Sequence, residues 1–234
     1  MKIFITGSAG FIGSHLVSYL LKKKDIQVIG IDDFSSGNKN NVLRNKKLYG
    51  ERYKFIEGNI LKKELIENNL KEVDCIFNLA AQVSVIRSSQ DPLNTHHINT
   101  TAFLELIELA RKFNIKKFIY PSSCSVYGDS NNKVLKESSI KNPLSVYAST
   151  KFLNDLYASN FSQFEDYPKI IGLRLFNVFG SWQVSNTGYA AVIPIWISRL
   201  MNGLDPIIYG DGKSTRDFIH VYDVCNAFYK ALNI

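Results

Sequence analysis

The sequence predicts an α/β fold: a doubly wound parallel sheet with a small, incomplete lobe at its C-terminal end. Three observations carry this prediction. Residues 1–33 run strand, glycine turn, helix, strand. Short apolar runs then go on alternating with helical patterns as far as Leu175. From Asn177 onward the alternation gives way to a less regular texture. Strands that alternate with helices imply parallel pairing through crossover helices.

In chain order, an apolar strand from Ile3 to Thr6 meets Gly7, Gly10 and Gly13, and a helix follows whose apolar positions Phe11, Ile12, Leu16, Val17 and Leu20 recur at helical spacing. A second strand ends in Asp32 and Asp33, and FSSGNKNN after it is a polar, glycine-bearing loop. A helix from about Val42 to Tyr49, a strand at Tyr53 to Glu57, a helix from Lys62 to Leu70 and a strand at Asp74 to Ala80 come next. A long helix is predicted from about Thr95 to Phe113, with Ile98, Ala102, Leu106, Leu109 and Ala110 on one face. The strand KKFIYPSS follows, then a polar loop ending at Pro143, a helix from about Ser145 to Phe164, and a strand at Lys169 to Leu175 that completes the sheet. The last part holds a buried-looking helix AAVIPIWISRLMNG, a short strand at Pro206 to Tyr209, the turn GDGKSTRD and a final helix from Val221. This divides the chain into 1–176, the regularly alternating part, and 177–234, a smaller and less regular lobe.

At 234 residues and 45% hydrophobic composition, the chain can bury a sizeable core. No run approaches the roughly 18 apolar residues of a membrane span, and the N-terminus is already strand, so a soluble, cytoplasmic protein without a membrane partner is expected. Cys75, Cys124 and Cys225 are odd in number, far apart and without ligand spacing. That argues for reduced thiols and against a metal site. The net charge of +7 comes from short lysine clusters beside predicted helix ends rather than a basic face interleaved with aromatics. No nucleic-acid partner is therefore expected, although the excess charge would draw in an anionic substrate.

The glycine turn points to chemistry. Glycines let bare backbone N–H groups approach a pyrophosphate at a helix N-terminus, where orphan donors and the dipole favour anions. A carboxylate at the end of the next strand, here Asp32, accepts hydrogen bonds from an adenosine ribose and repels a 2′-phosphate, which favours NAD over NADP; Lys39 nearby is the counter-feature. A second constellation is SSCSVYG followed by VYASTK. Tyr147 and Lys151 are four apart and share a helix face, where an ammonium beside a phenol makes tyrosine usable as a base. The same spacing occurs at Tyr19 with Lys23 and at Tyr209 with Lys213, so position has to decide. Only Tyr147 opens the helix after a strand whose C-terminal end carries Ser122 and Ser123, where open α/β sheets place ligands.

Taken together, TGSAGFIGSH, NLAAQ, Asn99 within a long helix, SSCSVYG, the Tyr147 and Lys151 pair, RLFNVFG and GDGKSTRDFIHVYDV resemble the extended short-chain dehydrogenases, specifically the NAD-dependent nucleotide-sugar epimerases and dehydratases with a Rossmann-type sheet. The resemblance implies Ser123, Tyr147 and Lys151 as the catalytic set. It implies NAD contacts from Gly7, Gly10, Phe11, Ile12, Gly13, Asp32 and Asp33, from Ser36, Gly37, Asn59 and Ile60, and from Leu79, Ala80, Ala81, Asn99, Tyr147 and Lys151. For the substrate it implies Ser84, Ser122, Ser123, Asn177, Ala191, Val192 and Arg216, with Asn177 and Arg216 on the diphosphate and small residues Ala190 and Ala191 beside the sugar. Dehydratases of the family carry an Asp-Glu pair after the catalytic serine, whereas this chain has Cys124 and Ser125. The closer resemblance is therefore to UDP-glucose and UDP-N-acetylglucosamine 4-epimerases, working as homodimers through the helices near 95–113 and 145–164. Another nucleotide-sugar conversion, decarboxylation or dehydration, and an NAD-binding module without turnover stay open. Asn59 replaces a common aspartate, and Thr100 a common glycine. The sequence stops in a helical pattern without a capping signal, which reads as a fragment or a naturally short relative with an open site.

Overall fold

The computed structural model describes residues 1–129, 134–184 and 191–234. Six strands form one parallel sheet in the order β3-β2-β1-β4-β5-β6. They are β1 Lys2–Thr6, β2 Gln27–Asp32, β3 Tyr53–Glu57, β4 Cys75–Asn78, β5 Lys117–Ser123 and β6 Lys169–Leu175. The apolar runs form these strands because helices cover both faces of the sheet, so successive residues are buried whichever way they point. On β1, Ile3 and Ile5 join a core with Leu16, Val17 and Leu20 of α1 (Phe11–Leu21) and Val42 of α2 (Lys39–Tyr49). Phe4, on the opposite side, joins Ile66 of α3 (Lys63–Glu67) and Phe103, Leu106 and Ile107 of α6 (Ala102–Lys112).

The long helix expected from Thr95 to Phe113 is broken. It comprises α5 (Pro92–His96), a π-helical turn at His97–Thr101 and α6. A further helix, α4 (Val85–Gln90), precedes it and was not expected; the Ser84 hydroxyl caps it by accepting the Arg87 amide at 3.2 Å. The wide turn has a cause at its centre: it brings the Asn99 side chain inward, where it bonds the loop after β4. After β5 come a short 3-10 turn at Cys124–Tyr127 and α7 (Val146–Phe161), whose N-cap Ser145 accepts the Ala148 amide.

Beyond residue 176 the outcome differs from expectation in three ways. A two-stranded parallel sheet joins β7 (Asn177–Phe179) to β8 (Phe218–His220). The strand expected at Pro206 to Tyr209 does not form: Pro206 lacks a ladder donor, Tyr209 is 85% exposed, and β7 pairs with Phe218–His220 instead. The helix α8 (Val192–Met201), expected to be buried, has Ile197, Leu200 and Met201 on the surface and only Pro194 enclosed. Apolar composition without an enclosing partner was the misleading signal. By contrast α9 (Val221–Ala231) returns to the main core, with Val224, Cys225 and Phe228 fully buried against α1 and Phe228 edge-on to Phe77 of β4 at 5.8 Å.

The exit of β7 is tied to α1 by an aromatic stack. Trp182, in a left-handed conformation at φ 66°, lies 4.1 Å from the His15 ring and under the Arg44 guanidinium at 3.1 Å. One His15 nitrogen faces the Phe11 carbonyl at 2.9 Å and the other the Ser181 hydroxyl at 3.3 Å. Burial lowers the His15 pKa, assisted by the charges of Arg44 and His220 and opposed by the Phe11 bond. Below about pH 6.5 the unfolded chain therefore takes up a proton that the folded one resists, so stability falls as the pH drops from there towards the depressed folded value. Chemical denaturation at about pH 7 and about pH 5 should show a smaller loss on acidification for His15→Gln than for the wild type. Equal losses in the two would remove His15 as the cause.

Candidate active site

In a doubly wound sheet, ligands bind beyond the C-terminal strand ends where the strand order reverses, here between β1 and β4. The two ends are locked together: the Thr6 hydroxyl donates to Asn78 Oδ1 at 2.7 Å and accepts the Ala80 amide at 3.0 Å. Gly7 turns the chain at φ 67°, so close to β4 that a Cβ there would stand 2.7 Å from the Ala80 nitrogen. A Cβ on Gly13 would stand 2.0 Å from the Gly7 carbonyl oxygen, so α1 can reach the strand only with glycine here. Among the described residues no side chain caps α1, and no acid sits in its first turn. The amides of Phe11, Ile12 and Gly13 thus open the helix towards the turn, and this cradle fits the pyrophosphate of a dinucleotide.

At the end of β2, Asp32 accepts the Ala9 amide through Oδ2 at 3.0 Å and the Phe34 amide through Oδ1 at 2.8 Å. Burial raises its pKa, and these amide bonds hold it back. Each oxygen keeps a lone pair for a ribose hydroxyl. Gly37 lies against Asp32 Oδ1, while Ser36 is exposed on the same loop. Asn59 donates to Asp33 Oδ2 at 2.7 Å, and its amide oxygen accepts the Leu61 amide at 2.8 Å. Ile60 is buried beside this corner, and Leu79, Ala80 and Ala81 form the half-buried exit of β4. Asn99 braces that exit: its Oδ1 accepts the Gln82 amide at 2.8 Å, and its Nδ2 donates to the Gln82 carbonyl and to Thr150 of α7, both at 3.0 Å. Gln82 and Thr150 were not singled out from sequence, and the only signal for them was adjacency to recognised motifs.

Strand alternation separates the two serines ending β5. Ser122 is buried, and its hydroxyl has no partner among the described residues. The Ser123 oxygen accepts the Ser125 amide at 3.1 Å, meets the Ser125 hydroxyl at 2.8 Å, and sits near enough to the Tyr147 phenol to draw its pKa down. Burial works against this influence and leaves the phenol above its ordinary range. Lys151 stands 6.0 Å from the Tyr147 ring centre but donates to the Pro121 carbonyl at 2.9 Å, and enclosure pulls its pKa down to about 8. The expected easing of the phenol by an adjacent ammonium is thus replaced here by Ser123. Neither competing pair belongs to this site: the Tyr19 hydroxyl donates to Asn226 of α9, and Tyr209 is on the surface.

The substrate candidates are spread more widely. Asn177 places its amide and its Nδ2 on the Asp217 carbonyl at 3.1 and 3.0 Å, which ties β7 to β8. Arg216 is exposed and donates to the Thr215 carbonyl at 2.7 Å. Arg216 and Asp217 come close enough to act on the Cys124 thiol, whose pKa burial raises, so this segment approaches the end of β5. Ser84 is engaged as the α4 cap. Ala191 and Val192 are exposed at the start of α8, and Ala190 lies outside the described residues.

Comparison with known proteins identifies the family. The model of the NAD dependent epimerase/dehydratase family matches residues 3–234. A UDP-N-acetylglucosamine 4-epimerase from Methanobrevibacter ruminantium, solved in complex with UDP-N-acetylmuramic acid, is 41% identical with a TM-score of 0.90, over 97% of this chain and 71% of that one. A UDP-glucose 4-epimerase of Mycolicibacterium smegmatis is 35% identical over 99% of this chain and 73% of its own length. A dTDP-glucose 4,6-dehydratase of Streptomyces venezuelae, solved with NAD bound, is 28% identical with a TM-score of 0.89, over 99% of this chain and 72% of that one. With the parallel sheet, the glycine cradle and the family match in agreement, the chain belongs to the NAD dependent epimerase/dehydratase family, whose cofactor is NAD.

Proposed function

We propose that the protein epimerises a UDP-hexose at C4, converting UDP-N-acetylglucosamine or UDP-glucose to its galacto epimer through a 4-keto sugar. The observation that carries this reading is the placement of the Tyr147 phenol beside Ser123 at the end of β5, with Lys151 enclosed behind it and Cys124 and Ser125 next to it. Similarity to two UDP-sugar 4-epimerases supports it. Cys124 and Ser125 supply no acid pair for expelling a hydroxyl, which favours epimerisation over dehydration.

The residues divide the work. Ser123 hydrogen-bonds the 4′-hydroxyl and the phenol of Tyr147. Tyr147 takes the hydroxyl proton as the C4 hydrogen leaves and returns it when hydrogen comes back to the other face. Ser123 is the phenol's direct partner, and the Lys151 ammonium, 6.0 Å from the ring centre and held on the Pro121 carbonyl, adds longer-range support to the phenolate as it forms. The cofactor, when bound, supplies the hydride acceptor and donor. Arg216, exposed and permanently charged, is placed to fork a substrate diphosphate. We take 1–176 as the cofactor half and 177–234 as part of the substrate lobe, and pair two copies through 95–113 and 145–164. Leu93 and Leu156, exposed on this side of the molecule, support that pairing.

The test is incubation of the purified protein with a panel of UDP-sugars, with products separated by chromatography. The expected outcome is galacto epimer formed without consumption of added NAD. A keto-deoxy or pentose product would replace the reading with dehydration or decarboxylation. NAD retention with no product from any sugar would reduce the chain to a binding module.

A further inference from the structure

One helical turn beyond Lys151, α7 presents Asp155, and both oxygens of its carboxylate are held. The Tyr120 hydroxyl, on β5, donates to Oδ1 at 2.9 Å, and Arg174 Nε, on β6, donates to Oδ2 at 2.9 Å. Arg174 reaches on from Nη1 to the Tyr127 hydroxyl and the Glu137 carbonyl, both at 3.2 Å. One carboxylate therefore joins α7, β5, β6 and the turn after β5, the segments that set where Ser123, Tyr147 and Lys151 stand relative to one another. Lys151 is buried, and among the described residues no carboxylate lies within ion-pair distance of its ammonium.

Resting on the reading of Tyr147 as the base, we propose that Asp155 is a positioning residue for the catalytic pair. Anchored by Tyr120 and Arg174, it sets α7 on the sheet, and its negative charge keeps the enclosed Lys151 amine protonated beside Tyr147. The surrounding groups single it out. The titratable and charged side chains on elements packed against α7 are Tyr120 and Lys117 of β5, Arg174 and Lys169 of β6, Cys124 and Tyr127 of the turn, Arg87 of α4, and His96 and His97 at and after the end of α5. None of these is a carboxylate, and Glu105 and Glu108 lie on α6. Asp155 is the group whose charge supports the protonated amine against burial. A buried lysine without such support loses its proton readily.

The inference predicts an opposite response to charge and to shape. In protein labelled with ¹⁵N-lysine, the Lys151 Nζ resonance, assigned as the one absent from Lys151→Arg, is titrated by NMR. Asp155→Asn is expected to lower its midpoint by about one pH unit and to move the basic limb of the kcat profile down by the same amount. Asp155→Glu is expected to restore both. If Asp155→Asn alone does not fold, the Asp155→Asn/Arg174→Gln double variant removes both partners and leaves no orphaned charge, and it is expected to show the same lowered midpoint. A midpoint unchanged in the folded variant, or a loss of kcat equal at all pH values, overturns the proposal. If the wild type turns over no nucleotide sugar, the reaction proposed above fails, while the titration of Lys151 still decides the role of Asp155.

Discussion

Replacing Tyr147 with phenylalanine should lower kcat by about a thousandfold, the loss typical of removing a positioned acid-base group. NAD binding and thermal stability should stay close to the wild type. Phenylalanine keeps the ring and its buried contacts and removes only the hydroxyl beside Ser123. The glycine cradle, Asp32 and the β4 exit are the proposed dinucleotide contacts, and none of them depends on that hydroxyl. Steady-state epimerisation, with NAD content read from the absorbance of denatured protein, makes the comparison. A variant retaining more than about a tenth of wild-type kcat would mean that another group moves the proton.

Gly13→Ala should damage both the fold and the cradle. Its Cβ would stand 2.0 Å from the Gly7 carbonyl oxygen, a backbone atom that cannot swing aside. Relief requires α1 to lift from β1, which disturbs both the buried cluster of Leu16, Val17 and Leu20 and the N-terminal amides that open towards the glycine turn. Such overpacking costs about 1–3 kcal/mol, and here it falls on the binding geometry as well. The expected result is a denaturation midpoint lowered by several degrees and protein purified largely free of NAD. Ser36→Ala, on the exposed loop after Asp32, is the control and should shift stability by no more than about 0.5 kcal/mol. If Gly13→Ala kept both stability and NAD, α1 would have to sit farther from β1 than in this structure.

The parts of the fold legible in the sequence are those in which a local pattern has one structural solution. Ile3 to Thr6, Tyr53 to Glu57 and Lys169 to Leu175 are apolar runs between turn signals, and they lie in strands. The broken helix around Asn99 was not legible, because a π turn leaves the apolar spacing of Leu106, Leu109 and Ala110 intact while shifting the register only upstream. The start signals of the pieces before it were present: Asp91 followed by Pro92 opens α5, and Ser84 opens α4. Past residue 176, pairing was non-local. Whether β7 found Pro206 to Tyr209 or Phe218 to His220 depended on contacts that no window of the sequence contains. In the site, Tyr147, Ser123 and Lys151 could be selected because strand end and helix start are sequence features. That Lys151 would turn to the Pro121 carbonyl, and that Asp155 would gather Tyr120 and Arg174, required three elements to be docked first.

The return of α9 to the core bears on how the chain reaches its native state. Residues Val224, Cys225 and Phe228 complete the side of the sheet that α1 begins, although the two helices are separated by roughly two hundred residues. Until that distant segment arrives, Leu16, Leu20 and Phe77 have no full enclosure, so the glycine cradle rests on a half-built wall. Closing so long a loop is entropically costly and slow. The alternating sheet of residues 1–176 is therefore not expected to mature ahead of the segment that follows β8. Folding should instead be one late, cooperative event, in which the competence of the cradle to hold an anion and the attachment of the second sheet appear together.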